Sequence, residues 1–109
     1  MRSSRKVLGQ AALAATTLTD VYTAPHGADV DGLSVVVCNR SATATTFRVA
    51  VSPAGAAIDN KHYVFYDVEL PGNETFSGQV GLMLGQTDVV RVYAAGGSVS
   101  VTVCGVEHS

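Results

Sequence analysis

The clearest indication of the fold class comes from residues 89–104, Val89-Val90-Arg91-Val92-Tyr93-Ala94-Ala95-Gly96-Gly97-Ser98-Val99-Ser100-Val101-Thr102-Val103-Cys104. This stretch holds two valine-rich runs, and in the second run valine alternates with small polar residues. A period of two places the valines on one face of a β-strand. The intervening Ala95-Gly96-Gly97 can supply the positive φ angles of a tight turn. The stretch therefore predicts a β-hairpin with one buried face.

Runs of the same kind recur toward the N-terminus, separated by turn residues such as Pro71-Gly72-Asn73-Glu74. Their spacing is roughly 10–15 residues, which is typical of strands that each cross a domain and turn back. No long helical pattern separates them, so a parallel α/β sheet is excluded. We predict an all-β fold, an antiparallel β-sandwich or jelly roll of about seven to eight strands. The predicted strands cover residues 18–24, 33–39, 45–51, 62–70, 75–80, 89–94 and 98–104.

The chain of 109 residues has room for one hydrophobic core. Residues 1–16 carry no strong period, and we interpret them as an extended N-terminal arm that becomes ordered against a neighbour. Residues 17–109 are then the β-sandwich domain. A secretion signal is not expected, because Gly9-Gln10 interrupts the apolar part of the basic N-terminal segment.

Composition narrows the classes of partner. Apolar residues make up 47% of the chain and charged residues only 15%, so much of the surface must be uncharged, which suits packing against other protein. The net charge is −2, and the only basic cluster is Arg2, Arg5 and Lys6. Nucleic acid needs several clustered cations and is not an expected partner. No run approaches the roughly 20 apolar residues of a membrane span.

Cys38 and Cys104 lie in valine-rich segments. Two buried free thiols are the favoured interpretation. A disulfide between them stays open, since it would close a long loop if their strands faced each other in an oxidising compartment.

The sequence gives little indication of a catalytic site. His26, His62 and His108 show no metal-ligand spacing, and no cofactor motif is present. Asp67 and Glu69 share a strand face, which would bring them near the roughly 5 Å separation of a retaining glycosidase. Exposed acids on a strand more commonly keep an edge soluble. We therefore expect a non-enzymatic protein with no catalytic, cofactor-binding or metal-binding residue.

The aromatic strand over residues 62–70 gives the strongest functional signal. Alternation predicts that Tyr63 and Phe65 face one way and Val64 and Tyr66 the other. Phe65 is expected in the core. An exposed tyrosine on the opposite face could anchor a subunit interface or stack on a sugar, and for Tyr66 core and interface remain equally open.

From about Leu8 to Glu107 the chain resembles small β-sandwich virion proteins of tailed bacteriophages. The most distinctive part is Asn39-Arg40-Ser41-Ala42-Thr43-Ala44-Thr45-Thr46-Phe47-Arg48. Supporting stretches are Leu8-Gly9-Gln10, Lys61-His62-Tyr63 and residues 17–23, 71–76 and 88–93. The resemblance implies a non-enzymatic virion component, assembled in the host cytoplasm, that forms a homo-oligomer. It supplies no catalytic motif.

On this basis we expect a capsid decoration (cement) protein that stabilises the head by bridging major capsid subunits. A homotrimer is expected, because three-fold positions recur on icosahedral shells. The alternative is a tail or fibre module that binds a host surface glycan or another tail protein, with Tyr63, Tyr66, Asn60 and Asp67 as candidate contacts. The expected partner-binding residues for the first hypothesis are Arg5, Lys6, Leu8, Arg40, Arg48, Tyr63 and Tyr66.

Overall fold

A computed structural model describes residues 3–109 and shows an all-β architecture. Two short 3-10 helices, Pro53–Gly55 and Asn60–His62, lie between the fourth and fifth strands. The strands are β1 (Ser3–Leu13), β2 (Thr17–Thr23), β3 (Asp29–Asn39), β4 (Thr45–Ser52), β5 (Tyr63–Leu70), β6 (Thr75–Gln79), β7 (Val89–Ala94) and β8 (Val99–His108).

The strands form two antiparallel sheets of four. Sheet A has the order β1-β8-β3-β6, and sheet B has the order β2-β7-β4-β5. The chain changes sheet at every connection except the one from β4 to β5. This strand order is that of a jelly roll, and it confirms the predicted all-β sandwich.

The segment that decided the fold class does not form the predicted hairpin. β7 pairs with β2 and β4 in sheet B, whereas β8 pairs with β1 and β3 in sheet A. Residues 95–98 therefore cross from one sheet to the other, and neither Gly96 nor Gly97 adopts a positive φ. The hairpin prediction was wrong because the alternation of valine is the same whether two strands share a sheet or face each other across a core.

The N-terminal segment is part of the sandwich. Ser3–Leu13 forms the edge strand β1, antiparallel to β8 from Ser3↔His108 to Leu13↔Val99. The separation of an arm at residues 1–16 from a domain at 17–109 is therefore corrected, while residues 1 and 2 lie outside the described part of the chain. A register shift between Val7 and Gly9 interrupts the alternation, which is why the sequence shows no clear period there.

The core lies between the two sheets. Phe47 is fully buried, and its ring centroid lies 5.0 Å from that of Phe76 and 6.4 Å from that of Phe65. Phe65 thus packs against the core, as expected from the sequence. Valines from both sheets surround this aromatic group at Val35, Val37, Val49, Val90, Val92, Val99, Val101 and Val103.

Candidate interaction surfaces

The outer side of sheet A carries a surface that we call the uncharged face. Val35 and Val37 of β3 and Val101 and Val103 of β8 are buried, so the residues between them point outward. Away from one charged end of the sheet, the outward side chains are small or neutral on all four strands. The uncharged face consists of Val7, Gln10, Ala12, Ser34, Val36, Cys38, Thr75, Ser77, Gln79, Ser100, Thr102, Cys104 and Val106.

Charged side chains border the uncharged face at one end. Val106 of β8 lies between two charged residues, Arg5 on the neighbouring strand β1 and Asp31 on the neighbouring strand β3. The imidazole Nε2 of His108 lies 3.0 Å from Asp31 Oδ2, and its Nδ1 lies 2.8 Å from the Ser3 hydroxyl. A neutral centre with charge at the periphery resembles the anatomy of protein–protein interfaces.

Both cysteines lie on the uncharged face as free thiols. Cys104 is opposite Ser34, and Cys38 is opposite Ser100, so the two cysteines are four residues out of register on neighbouring strands. This offset separates their Cα atoms by about 13 Å, well beyond the reach of a disulfide. The structure thus agrees with free thiols, although both are half-buried rather than buried in the core.

The outer side of sheet B is different, because it is aromatic and charged. Arg48 lies between two tyrosine rings, with its guanidinium carbon 4.2 Å from the centroid of Tyr66 and 4.6 Å from that of Tyr93. Its Nε donates a hydrogen bond of 2.6 Å to Asp67 Oδ1. Tyr63 packs edge-on against Tyr66, with centroids 5.0 Å apart. We call Arg48, Tyr63, Tyr66, Asp67 and Tyr93 the tyrosine–arginine cluster.

The tyrosine–arginine cluster is ordered by its own contacts. The hydrogen bond that Arg48 donates to Asp67 raises the pKa of Arg48 further above its usual value, and the charge of that carboxylate adds to the effect. Tyr66 remains 57% exposed, so the cluster presents an aromatic residue to solvent. A second arginine, Arg91, pairs with Asp20 at 2.8 Å on the same side of the sheet.

The predicted facing of the aromatic strand was wrong at Tyr63. Tyr63 pairs with Ala50, but Phe65 pairs with Val49, so Val64 forms a bulge between them. The bulge turns Tyr63 outward next to Tyr66, while Phe65 stays against the core. Sequence alternation could not show this, because a bulge leaves no obligatory mark in the residue pattern.

Tyr93 was missed as a site residue. The alternation Val90-Arg91-Val92-Tyr93 already indicates that Arg91 and Tyr93 point away from the core. What the sequence could not show is that β4 and β7 are neighbours, with Arg48 paired to Tyr93.

The predicted residues on β1 have different roles. Arg5 is exposed, and Leu8 packs against the core. Lys6 Nζ lies 3.1 Å from Glu107 Oε1, and the Tyr22 hydroxyl donates a hydrogen bond of 2.7 Å to Glu107 Oε2. Lys6 is thus engaged within the fold, and Leu8 is partly buried against the core.

Arg40 lies at the opposite end of the molecule, just after β3. Its side chain is exposed, and its backbone N–H donates to the Ser98 carbonyl at 2.7 Å. The seven predicted contact residues are therefore spread over both sheets and one loop. The structure brings together only Arg48, Tyr63 and Tyr66.

An open groove of about 670 Å³ lies near Arg40, between the β3–β4 and β7–β8 connections. Among the described residues that line it, Glu69 alone is ionisable. Asn39 closes its inner end, where Asn39 Nδ2 donates to the carbonyls of Thr43 and Leu70 and Oδ1 accepts from the Ser41 N–H. The remaining lining residues are Ser41, Thr43, Ala44, Thr45, Thr46, Ala95, Gly96, Gly97, Ser98 and Val99.

In the part of the chain that the structure describes, the titratable side chains do not converge in a cleft. His62 is buried where it closes a short 3-10 helix, accepting a hydrogen bond from the Asp59 N–H at 3.1 Å. Asp67 is engaged by Arg48, while Glu69 faces the groove. Within residues 3–109, no three His, Cys, Asp or Glu side chains form a group that could hold a metal ion. Over the same residues, no helix has the length and apolar character needed to cross a membrane.

Comparison of this chain with protein-family models, with curated proteins and with solved structures finds no match. The observations that bear on function are therefore the jelly-roll fold and its two unlike outer surfaces.

Proposed function

We propose that this protein is a non-enzymatic virion structural protein of a tailed bacteriophage, a capsid decoration protein that bridges major capsid subunits. The observation that carries the proposal is the contrast between the uncharged face of sheet A and the tyrosine–arginine cluster of sheet B. Such a molecule can pack against protein on two sides at once. Jelly rolls also recur in viral capsid and lectin domains, which supports the proposal by fold-level analogy only.

The tyrosine–arginine cluster is the proposed contact with the capsid. Tyrosine and arginine are enriched among the residues that dominate binding energy at interfaces. Arg48 is already held by Asp67, Tyr66 and Tyr93, so little side-chain freedom remains to be lost on binding. Repetition over many copies would add a small stabilisation at each junction.

The test is the stability of the particle. Particles that lack the protein should release their DNA at a lower temperature than complete particles, and added wild-type protein should restore the higher temperature. A Tyr66→Ala variant should restore it poorly. Met83→Ala is the matched control, because Met83 is 79% exposed on the β6–β7 connection, away from the cluster. Equal release temperatures with and without the protein would contradict the decoration role.

A tail or fibre module that binds glycan is the second candidate. It is favoured by the exposed ring of Tyr66 next to Asp67, since sugars commonly stack on aromatic side chains beside polar groups. The number of copies per particle separates the two candidates. Hundreds of copies support a place on the head, whereas a dozen or fewer support the tail. If the protein is a glycan-binding tail module, adding host saccharides should change its tyrosine fluorescence.

A further inference from the structure

We infer that the uncharged face is the surface on which two copies of this chain pack, related by a two-fold axis. This inference rests on the proposed assembly role and names the partner of one of its two surfaces. It assigns self-association to sheet A and leaves the tyrosine–arginine cluster free for another virion protein.

The first argument is charge. When a surface packs on its own copy about a two-fold axis, residues near the axis meet themselves, so any charge there meets its like. Around Thr102, the centre of the face, the outward neighbours are Gln10 on β1 and Val36 on β3. The charged residues Arg5 and Asp31 lie at one end, so an antiparallel pairing holds the charged ends of the two copies apart.

The second argument is shape and area. Three of the four strands in sheet A have 10 or 11 residues. With about 3.4 Å per residue and about 4.8 Å between strands, the whole outer side of the sheet offers about 600 Å² in projection. A stable interface takes about 800 Å² of accessible surface from each partner. Accessible surface exceeds projected area because side chains stand out from the sheet, so the pairing requires nearly the whole outer side of sheet A. Small side chains let two such sheets approach at the spacing of about 10 Å seen in sandwiches.

The third argument is the contrast with sheet B. Its outer side holds the ion pairs Arg48–Asp67 and Arg91–Asp20, and packing that side on a copy would remove these four charges from water. Only sheet A offers a broad neutral surface. A flat surface that packs on itself gives pairs, so the inference replaces the trimer expected from the sequence with a dimer.

The experiment measures molecular mass by sedimentation equilibrium over a range of protein concentrations. The wild-type protein should be a dimer. Thr102→Arg should raise the dimer Kd about a hundredfold, because two unpaired guanidinium groups would meet near the axis. Thr46→Arg is the matched control on the outer side of sheet B, and it should leave the mass unchanged.

The native thiols give a second measurement that needs no variant. Cys38 and Cys104 are half-buried in the single chain, and pairing should cover them further. Their alkylation should therefore slow as the protein concentration rises, and this measurement decides the matter if Thr102→Arg fails to fold.

The outcomes are separable. A monomeric or three-copy mass, thiol reactivity that is independent of concentration, or a dimer broken by Thr46→Arg but not by Thr102→Arg would each overturn the pairing. A monomer whose absence still weakens the particle overturns only the pairing. A dimer whose absence leaves the particle unchanged overturns only the decoration role.

Discussion

The hydroxyl of Tyr22 on β2 donates a hydrogen bond of 2.7 Å to the carboxylate of Glu107 on β8, and so joins sheet B to sheet A at one end of the sandwich. Lys6 on β1 holds the other oxygen of the same carboxylate. Residues that are 85 positions apart thus form one polar link between the sheets.

Glu107 should make stability depend on pH. The hydrogen bond from Tyr22, followed by that from Lys6, holds the pKa of Glu107 below its ordinary value of 4.5. A lowered folded-state pKa contributes stability above pH 4.5 that is lost as the pH falls through the folded value. We expect Glu107→Gln to lower Tm at pH 7, with the difference from wild type shrinking below pH 4.5. Glu74→Gln, at an exposed turn, is the control, and an equal Tm difference at all pH values would contradict the prediction.

Tyr22 should ionise late in an alkaline titration. Burial raises the pKa of Tyr22 well above its ordinary value of 10.0, and the hydrogen bond to Glu107 raises it further. An alkaline titration followed by phenolate absorbance should show one tyrosine that ionises late. The late step should be absent in Tyr22→Phe and retained in Tyr66→Phe, so its survival in Tyr22→Phe would rule out this assignment.

Asn39→Ala should destabilise the fold. Asn39 is 2% exposed, and its side chain binds the N–H of Ser41 and the carbonyls of Thr43 and Leu70. Loss of the amide leaves buried backbone groups without partners, which costs about 1–3 kcal/mol in the free energy of unfolding. Denaturant unfolding measures the change. Asn60→Ala is the control, because Asn60 is exposed at the start of the second 3-10 helix. Asn73 is unsuitable as a control because its φ is positive. A change equal to that of Asn60→Ala would contradict the prediction.

Gly9→Ala tests whether β1 belongs to the sandwich. A Cβ at Gly9 would collide with the Val21 carbonyl oxygen of β2, because the two strands cross closely there. We expect a loss of about 1–3 kcal/mol in the free energy of unfolding, as for overpacked sites. Gly85→Ala is the control, since its Cβ would meet only the Asp88 carboxylate at an ordinary contact distance. A neutral Gly9→Ala would instead support a free N-terminal arm.

The alternation of apolar residues predicted much of the fold. Phe47, Val49, Val101 and Val103 face the core as their period of two requires. The same reasoning failed where a bulge intervenes, at Val64 and between Val7 and Gly9. A bulge adds one residue to one strand, and the residue pattern alone does not show where it falls.

The candidate surfaces were predicted only in part. The low charge of the chain indicated a neutral surface, but not that this surface is confined to the outer side of sheet A. Arg48 and Tyr66 were predicted contacts. Their arrangement with Tyr93 depends on β4 lying between β5 and β7. The pairing of β4 with β7 joins strands that are far apart in the chain.

The sequence by itself determined that each strand has an inner and an outer side, because side chains alternate along any extended chain. Only the tertiary structure decided which strands are neighbours. Hydrogen bonds between strands join backbone groups that are alike at every residue, so the choice of partner comes from packing across the whole core. That choice gathered neutral side chains on the outer side of sheet A, and Arg48, Arg91 and three tyrosines on the outer side of sheet B.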